Sequence, residues 1–190
     1  MNKPLSLVTG AAGFIGSNLT DYLVRQGHQV VCVDNESADN EKFHWNDTTI
    51  NVSADITDYK SMKNVFTGVD YVFHLAAESR LQPAINNPIQ AVQRNCVGTT
   101  VMLQCAREAG VKRFIYSSTS SGYGNNPYPN VETQPDDSLN PYSASKVAAE
   151  KFCKMYTDLY GLETVILRYF NVFGNRSPAK GQYAPVIGIF

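Results

Sequence analysis

The chain has 190 residues, with 16 lysines and arginines against 17 aspartates and glutamates and a net charge of −1. That length is somewhat more than one typical domain, and it is enough to bury roughly 70% of the surface that an unfolded chain exposes. Charges of both signs are mixed along the sequence, so no basic block is present to grip nucleic acid or an anionic membrane, and no apolar run approaches the ~20 residues that span a bilayer.

Leu5-Ser6-Leu7-Val8 is an apolar run and reads as the first strand. It leads into Gly10-Ala11-Ala12-Gly13-Phe14-Ile15-Gly16, after which Phe14, Ile15, Leu19, Tyr22 and Leu23 fall on one side of a helix. Strand, glycine turn and helix is the arrangement that holds a pyrophosphate. Glycines let the backbone turn sharply and approach a ligand, and a helix N-terminus offers free N–H groups and a partial positive charge. Gln29 to Val33 is a second strand, and Asp34 ends it, 18 residues after Gly16. A carboxylate there can bind the 2′- and 3′-hydroxyls of an adenosine ribose and repels a 2′-phosphate, which favours NAD over NADP. The bland alternative is a structural turn followed by an exposed aspartate.

Residues 35–47 are polar and read as a loop, Thr49 to Val52 as a weak third strand, and Tyr59 to Phe66 as a short helix. Tyr71 to Leu75 is a clear fourth strand. A loop with Pro83 and Pro88 leads to a long helix over Ile89 to Ala109, with Val92, Cys96, Thr99, Leu103 and Ala106 along one face, and Gly110 stops it. Arg113 to Tyr116 is a fifth strand, closed by a Ser/Thr cluster at 117–121. Residues 122–140 form a long loop, of a length that is usually functional or disordered. Asn140 is placed to cap a helix that starts at Pro141 and runs to about Tyr160; Gly161 ends it, and Thr164 to Leu167 is a sixth strand. Alternating strands and helices imply an α/β fold: a doubly wound, mainly parallel Rossmann-type sheet in the order 3-2-1-4-5-6, with helices on both faces.

Two further patterns carry chemistry. Tyr142 and Lys146 in Tyr142-Ser143-Ala144-Ser145-Lys146 stand four apart, on one face of a helix. A nearby ammonium lowers the pKa of a phenol, and so does a positive nicotinamide ring, so such a phenol can take a proton from an alcohol while hydride leaves the same carbon. An ordinary surface pair has the same spacing. The hydroxyls of Ser117, Ser118, Thr119, Ser120 and Ser121 sit at the C-terminal edge of a parallel strand, which faces the ligand crevice; one of them is placed to stabilise charge developing on a substrate oxygen.

With the spacing G-x-x-G-x-x-G, the Tyr142/Lys146 pair and the hydroxyl cluster, the chain resembles an extended short-chain dehydrogenase/reductase. It looks like the sugar-nucleotide epimerase/dehydratase family, nearest to its UDP-glucose 4-epimerase branch, over about Leu5 to Gly174. The resemblance implies that Thr119, Tyr142 and Lys146 are catalytic, with Ser117 beside the cofactor. It implies NAD contacts from Asp55 and Ile56 and from the turn Leu75-Ala76-Ala77. It adds Asn95 as a helix-four asparagine grouped with the cofactor site. Arg168-Tyr169-Phe170-Asn171-Val172-Phe173-Gly174 resembles R-Y-F-N-V-Y-G, whose asparagine, Asn171 here, contacts the substrate diphosphate in such enzymes.

The reaction so implied is that of an NAD-dependent nucleotide-sugar 4-epimerase, with a UDP-sugar the expected substrate. The alternatives are a 4,6-dehydratase or decarboxylase on the same scaffold, and a nucleotide-binding domain without catalysis. Dehydratases of the family carry Asp-Glu directly after the catalytic threonine, where this chain has Ser120 and Ser121. Gly122 replaces the family's usual valine and is expected to loosen that turn. The resemblance also implies a homodimer through the helices at 89–109 and 141–160. Cys32, Cys96, Cys105 and Cys153 form no C-x-x-C pair and read as free thiols in a reducing cytoplasm, with no metal site expected; the N-terminus does not read as a signal peptide. Residues 1–174 are assigned to the NAD-binding domain. The polar stretch from Asn175 and the apolar Val186 to Phe190 are assigned to the start of a substrate-binding region that is cut short.

Overall fold

The computed structural model describes residues 3–38 and 42–177, so most of the segment expected at 175–190 lies outside the described residues. Six strands form one sheet: β1 (Leu5–Thr9), β2 (Gln29–Asp34), β3 (Ile50–Ser53), β4 (Tyr71–His74), β5 (Arg113–Thr119) and β6 (Thr164–Tyr169). Their order is β3-β2-β1-β4-β5-β6 and every pairing is parallel, as the sequence predicts. All six C-terminal ends therefore meet along one edge, and the reversal of strand order at β1 opens a crevice there.

Alternation along β1 sends Leu7 to one side of the sheet and Val8 to the other, both fully buried. Leu7 joins Val33, Val72 and Phe114 under α2 (Tyr59–Val65), α5 (Thr99–Ala109) and α6 (Pro141–Tyr160), which contribute Met62, Met102, Leu103, Ala149 and Cys153. Val8 joins Val30 and Cys32 under α1 (Phe14–Arg25) through Leu23. The second face is covered less evenly: Ile115 and Val165 are only half-buried, and Leu167 is 38% exposed.

Helix ends follow their capping residues. Asp58 accepts from Lys60 N–H at 3.0 Å at the start of α2, and Asn140 Oδ1 accepts from Ser143 N–H at 2.9 Å at the start of α6. Gly110 and Gly161 close α5 and α6 in the left-handed conformation.

The segment between β4 and β5 departs from expectation twice. The stretch read as a loop around Pro83 contains a helix, α3 (Leu81–Asn86); Pro83 lies in its first turn, where no N–H is needed for the ladder. The long helix is not continuous: α4 (Pro88–Val92) passes through a π-helical turn, Gln93–Gly98, before α5. One residue is gained there, and the buried face rotates. Thr99, Leu103 and Ala106 are buried as expected, but Val92 is 46% exposed and Ala91 and Asn95 take its place inside. Residues 122–140 are folded back on themselves. Asn126 Nδ2 donates to the carbonyls of Tyr123 and Pro135 at 2.8 and 2.7 Å, and Asp137 Oδ2 accepts from Asn125 N–H at 2.8 Å.

Candidate active site

The crevice along the C-terminal edge holds about 400 Å³. It is lined by Gly10, Gly13, Phe14, Ile15 and Gly16 after β1, Asp34 at the end of β2, and Asp55 and Ile56 after β3. The wall continues with Leu75, Ala76 and Ala77 after β4, Ser117 and Thr119 on β5, and Tyr142 and Lys146 on α6. These sequence-predicted residues thus converge on one cavity. Asn171 is exposed beyond β6, between Phe170 and Val172, which do line the crevice.

Asn95 is fully buried, and its amide serves protein groups: Oδ1 accepts from Glu78 N–H at 2.7 Å, and Nδ2 donates to the Glu78 carbonyl and to Ser145 Oγ, both at 3.0 Å. Asn95 is a brace between the loop after β4 and the helix bearing Tyr142 and Lys146. The π-helical turn is what brings it there.

The glycine turn meets the steric demands of a dinucleotide. Gly10 has φ +68°, and a Cβ on it would stand 2.9 Å from the Ala76 nitrogen; a Cβ on Gly16 would overlap the Gly10 carbonyl oxygen. Gly13 differs, since a Cβ there meets only that same oxygen, at 3.4 Å. The first N–H groups of α1 have no partner within the helix and point toward the crevice end of the turn. Asp34 secures the turn from behind: Oδ2 accepts from Ala12 N–H at 3.0 Å and Oδ1 from Glu36 N–H at 2.8 Å. Burial raises the Asp34 pKa, against the lowering effect of those two bonds. Burial also works to raise Asp55, but Thr57, which donates its N–H and hydroxyl to Oδ1, and Asn35, which donates to Oδ2, leave it lowered. The residues fit NAD: glycines where a side chain would obstruct the phosphates, a helix N-terminus, and a carboxylate at the ribose position.

The turn after β4 is fixed by a buried relay. Thr9 Oγ1 accepts from the N–H groups of Leu75 and Ala76 at 3.2 and 3.1 Å, so its own hydrogen goes to His74 Nδ1, 2.7 Å away. His74 then carries its proton on Nε2 and donates to Thr99 Oγ1 at 3.0 Å, and Thr99 donates to the Asn95 carbonyl at 2.6 Å. Burial and the nearby Lys146 charge push the His74 pKa down to about 3, which keeps it neutral. It is a structural histidine, as its place in a buried strand suggests.

At the other end of the crevice, Thr119 Oγ1 accepts from Ser121 N–H at 3.1 Å, and its hydroxyl lies near enough to the Tyr142 phenol to act on the phenol's pKa. Lys146 is 3% exposed, with Nζ 4.4 Å from the centre of the Tyr116 ring. Burial pushes its pKa down to about 7 against the pull of Cys153 and Glu150. The expected depression of the Tyr142 phenol is not found in the ligand-free chain. Burial raises it, the nearby Thr119 hydroxyl lowers it and Glu78 raises it further, so the net shift is upward. A positive charge entering the crevice acts against that rise. The expectation at Gly122 is corrected: the turn is tight, because a Cβ there would stand 2.8 Å from Val147 Cγ2.

Some lining residues were not singled out for the cofactor. Asn35, Ser37 and Ala38 after β2 lay in a stretch read only as polar loop. Arg94 lines the wall and pairs at 2.9 Å with Glu78.

A profile of the NAD dependent epimerase/dehydratase family matches residues 6–189. The chain belongs to that family. Its members are NAD-dependent, and NAD is accordingly the cofactor of this fold. The putative UDP-glucose 4-epimerase of Methanocaldococcus jannaschii is 37% identical over 187 residues, covering 97% of this chain and 61% of the relative. A UDP-N-acetyl-alpha-D-glucosaminuronate decarboxylase of Bacillus cytotoxicus is 38% identical, covering 99% of this chain and 60% of the relative. Among solved structures, the UDP-glucose 4-epimerase of Thermotoga maritima with UDP-glucose superposes with a TM-score of 0.92 at 35% identity, over 97% of this chain and 61% of that one. The chain thus spans about three fifths of the length of the relatives it matches. Among the described residues, no helix is long and apolar enough to cross a membrane.

Proposed function

We propose that the protein is an NAD-dependent 4-epimerase of nucleotide sugars, with a UDP-sugar as substrate. What carries this reading is the convergence of Thr119, Tyr142 and Lys146 at one end of a crevice whose other end is the glycine turn. The chemistry that bound NAD supplies is acceptance of hydride from the sugar C4 and its return to the opposite face.

The chain's own residues handle the proton and the position of the sugar. Tyr142 removes the 4-hydroxyl proton and later gives it back. Thr119, whose oxygen already accepts from Ser121 N–H, directs its hydrogen at the Tyr142 and substrate oxygens, where charge develops. Lys146 places a charge beneath the phenol and holds the nicotinamide ribose. Asn171, at the mouth, is assigned to the substrate diphosphate.

Epimerisation needs no acid or base beyond this pair. Dehydration needs both near C5 and C6, and Ser120 and Ser121 supply neither. A decarboxylase is the second reading, because a relative of that name matches this chain as well as the epimerases do.

The assembly proposed is a homodimer. An apolar groove between α5 and α6, lined by Cys96, Val97, Val101, Phe152 and Tyr156, lies on the two helices expected to pair. Free thiols at Cys32, Cys96, Cys105 and Cys153 suit a reducing cytoplasm.

Tyr142→Phe in the full-length enzyme tests the mechanism. Turnover of the nucleotide sugar is expected to fall by about 10²–10⁴ with NAD affinity kept, and unchanged epimerisation refutes the assignment.

A further inference from the structure

Beside Thr119, where β5 meets α6, lies a buried ion pair that the mechanism does not use. Glu150 is 2% exposed and sits one helical turn after Lys146 on α6. Its Oε1 accepts from Ser118 Oγ and, at 2.8 Å, from Arg168 Nε; its Oε2 accepts from Arg168 Nη2 at 2.6 Å. Ser118 immediately precedes Thr119 and is the register partner of Arg168 across β5 and β6. The same Arg168 Nη2 reaches Asp136 Oδ1 at 2.5 Å, and Asp136 Oδ2 holds Lys151 Nζ at 2.5 Å. The guanidinium also lies 4.8 Å from the centre of the Tyr123 ring.

Four segments meet on this pair: the end of β5, α6, β6 and the loop at 122–140. A buried ion pair brings little net stability over apolar residues of the same size. What it brings here is geometry. The strand that carries Thr119 and the helix that carries Tyr142 and Lys146 are joined by charge-assisted bonds with two fixed directions. Proton transfer between a phenol, a hydroxyl and a substrate oxygen tolerates displacements of well under about 1 Å.

We propose that Glu150 and Arg168 are positioning residues for the Thr119–Tyr142–Lys146 group: the carboxylate ties strand to helix, and the guanidinium sets how much of its negative charge reaches Lys146. The catalytic roles of those three residues rest on the epimerase reading; the tie itself does not. The other groups that act on Lys146 are the Tyr116 ring on β5, His74 on β4 and Cys153 on α6, and Tyr142 lines the same crevice. His74 is neutral, the Cys153 thiol is pushed up to about 12 by burial, and burial likewise raises both phenols. Glu150 is therefore the carboxylate whose charge acts on the ammonium, and Arg168 competes for it.

The test is the titration of Lys146, followed by NMR of isotope-labelled lysine in the NAD-free chain. Glu150→Gln is expected to lower the lysine pKa by roughly one unit, Asp136→Asn to lower it by less, and Arg168→Gln to raise it. A tie that is only structural moves the lysine in one direction with all three variants, in step with lost Tm, or not at all. An unmoved Lys146 in Glu150→Gln, or a downward shift in Arg168→Gln, overturns the proposal. If Glu150→Gln does not fold, Asp136→Asn, at the more exposed end of the pair, decides by the same criterion.

In the full-length enzyme, Glu150→Gln is also expected to lower kcat by about tenfold or more, with KM and the NAD Kd changed less than about twofold. If the wild-type enzyme converts no nucleotide sugar, the epimerase reading fails, and the lysine titration still decides this one.

Discussion

Gly16→Ala and Gly13→Ala separate the two uses of glycine in the cofactor turn. An added Cβ at Gly16 overlaps the Gly10 carbonyl oxygen and stands 2.8 Å from the Ala11 Cα. Both obstacles are backbone, and Gly10 cannot retreat because it is itself packed against Ala76. The start of α1 has to move away from β1. Overpacking of this kind costs about 3 kcal/mol, at the upper end of the usual range. For a chain of this size that is a fall in Tm of roughly 6–12 °C. The displaced helix N-terminus no longer aims its N–H groups at the pyrophosphate, so the NAD Kd rises by at least about tenfold.

At Gly13 the added methyl meets only the Gly10 oxygen, at 3.4 Å. The helix N-cap changes from glycine to alanine, at a cost under about 1 kcal/mol, or no more than about 2–4 °C. That methyl stands in the crevice, where a pyrophosphate approaches the backbone, so NAD binding still weakens by about tenfold. Thermal denaturation and calorimetric titration with NAD read both quantities on the chain itself. Gly16→Ala with wild-type Tm and Kd, or Gly13→Ala with an unchanged Kd, refutes the reasoning.

Lys146 and His74 make stability depend on pH in windows set by their burial. The Lys146 pKa is held down at about 7 by burial, so its folded form has released a proton that the unfolded chain keeps. Stability therefore rises with pH above 7, and the cost of burying the ammonium is carried in full below it. Lys146→Met is expected to stabilise the NAD-free chain by about 2–4 kcal/mol at pH 6 and by little near pH 10; a lower Tm at both contradicts this. His74, pushed down to about 3 by burial and by Lys146, leaves the unfolded state binding the extra proton between about pH 3 and 6.5. Stability falls as pH drops through that window. In urea titrations His74→Asn is expected to be less stable than wild type at pH 7, with the gap closing toward pH 4; parallel profiles refute it. Val97→Glu, which puts a charge in that apolar groove, is expected to sediment as a monomer and the wild type as a dimer; identical sedimentation rules out that interface.

The parallel sheet and its order were legible because most strands are apolar runs and strands alternate with helical patterns along the chain. The glycine turn, Asp34, Tyr142 and Lys146 were legible as crevice residues because of their spacing, whereas Thr119 was singled out among five hydroxyls only by the family resemblance. The π-helical turn at Gln93–Gly98 was not, since one added residue breaks the 3.6 period without any mark in composition. That hid both the rotation of Val92 to the surface and the inward turn of Asn95. The pairing of Glu150 with Arg168 and Ser118 was hidden for a different reason. These residues are 18 and 32 positions apart and meet only because β5, β6 and α6 are neighbours in space. The ordered loop at 122–140 is held by polar side chains such as Asn126 and Asp137, which in a sequence look the same as solvated ones.

Reversal of configuration at C4 is tested by incubating the full-length enzyme and NAD with a nucleotide sugar in D₂O and following the products by NMR. An equilibrium mixture of the two C4 epimers, with no deuterium at C5, is expected. Deuterium at C5 together with loss of the 6-hydroxyl, or release of carbon dioxide from a uronic acid, contradicts it.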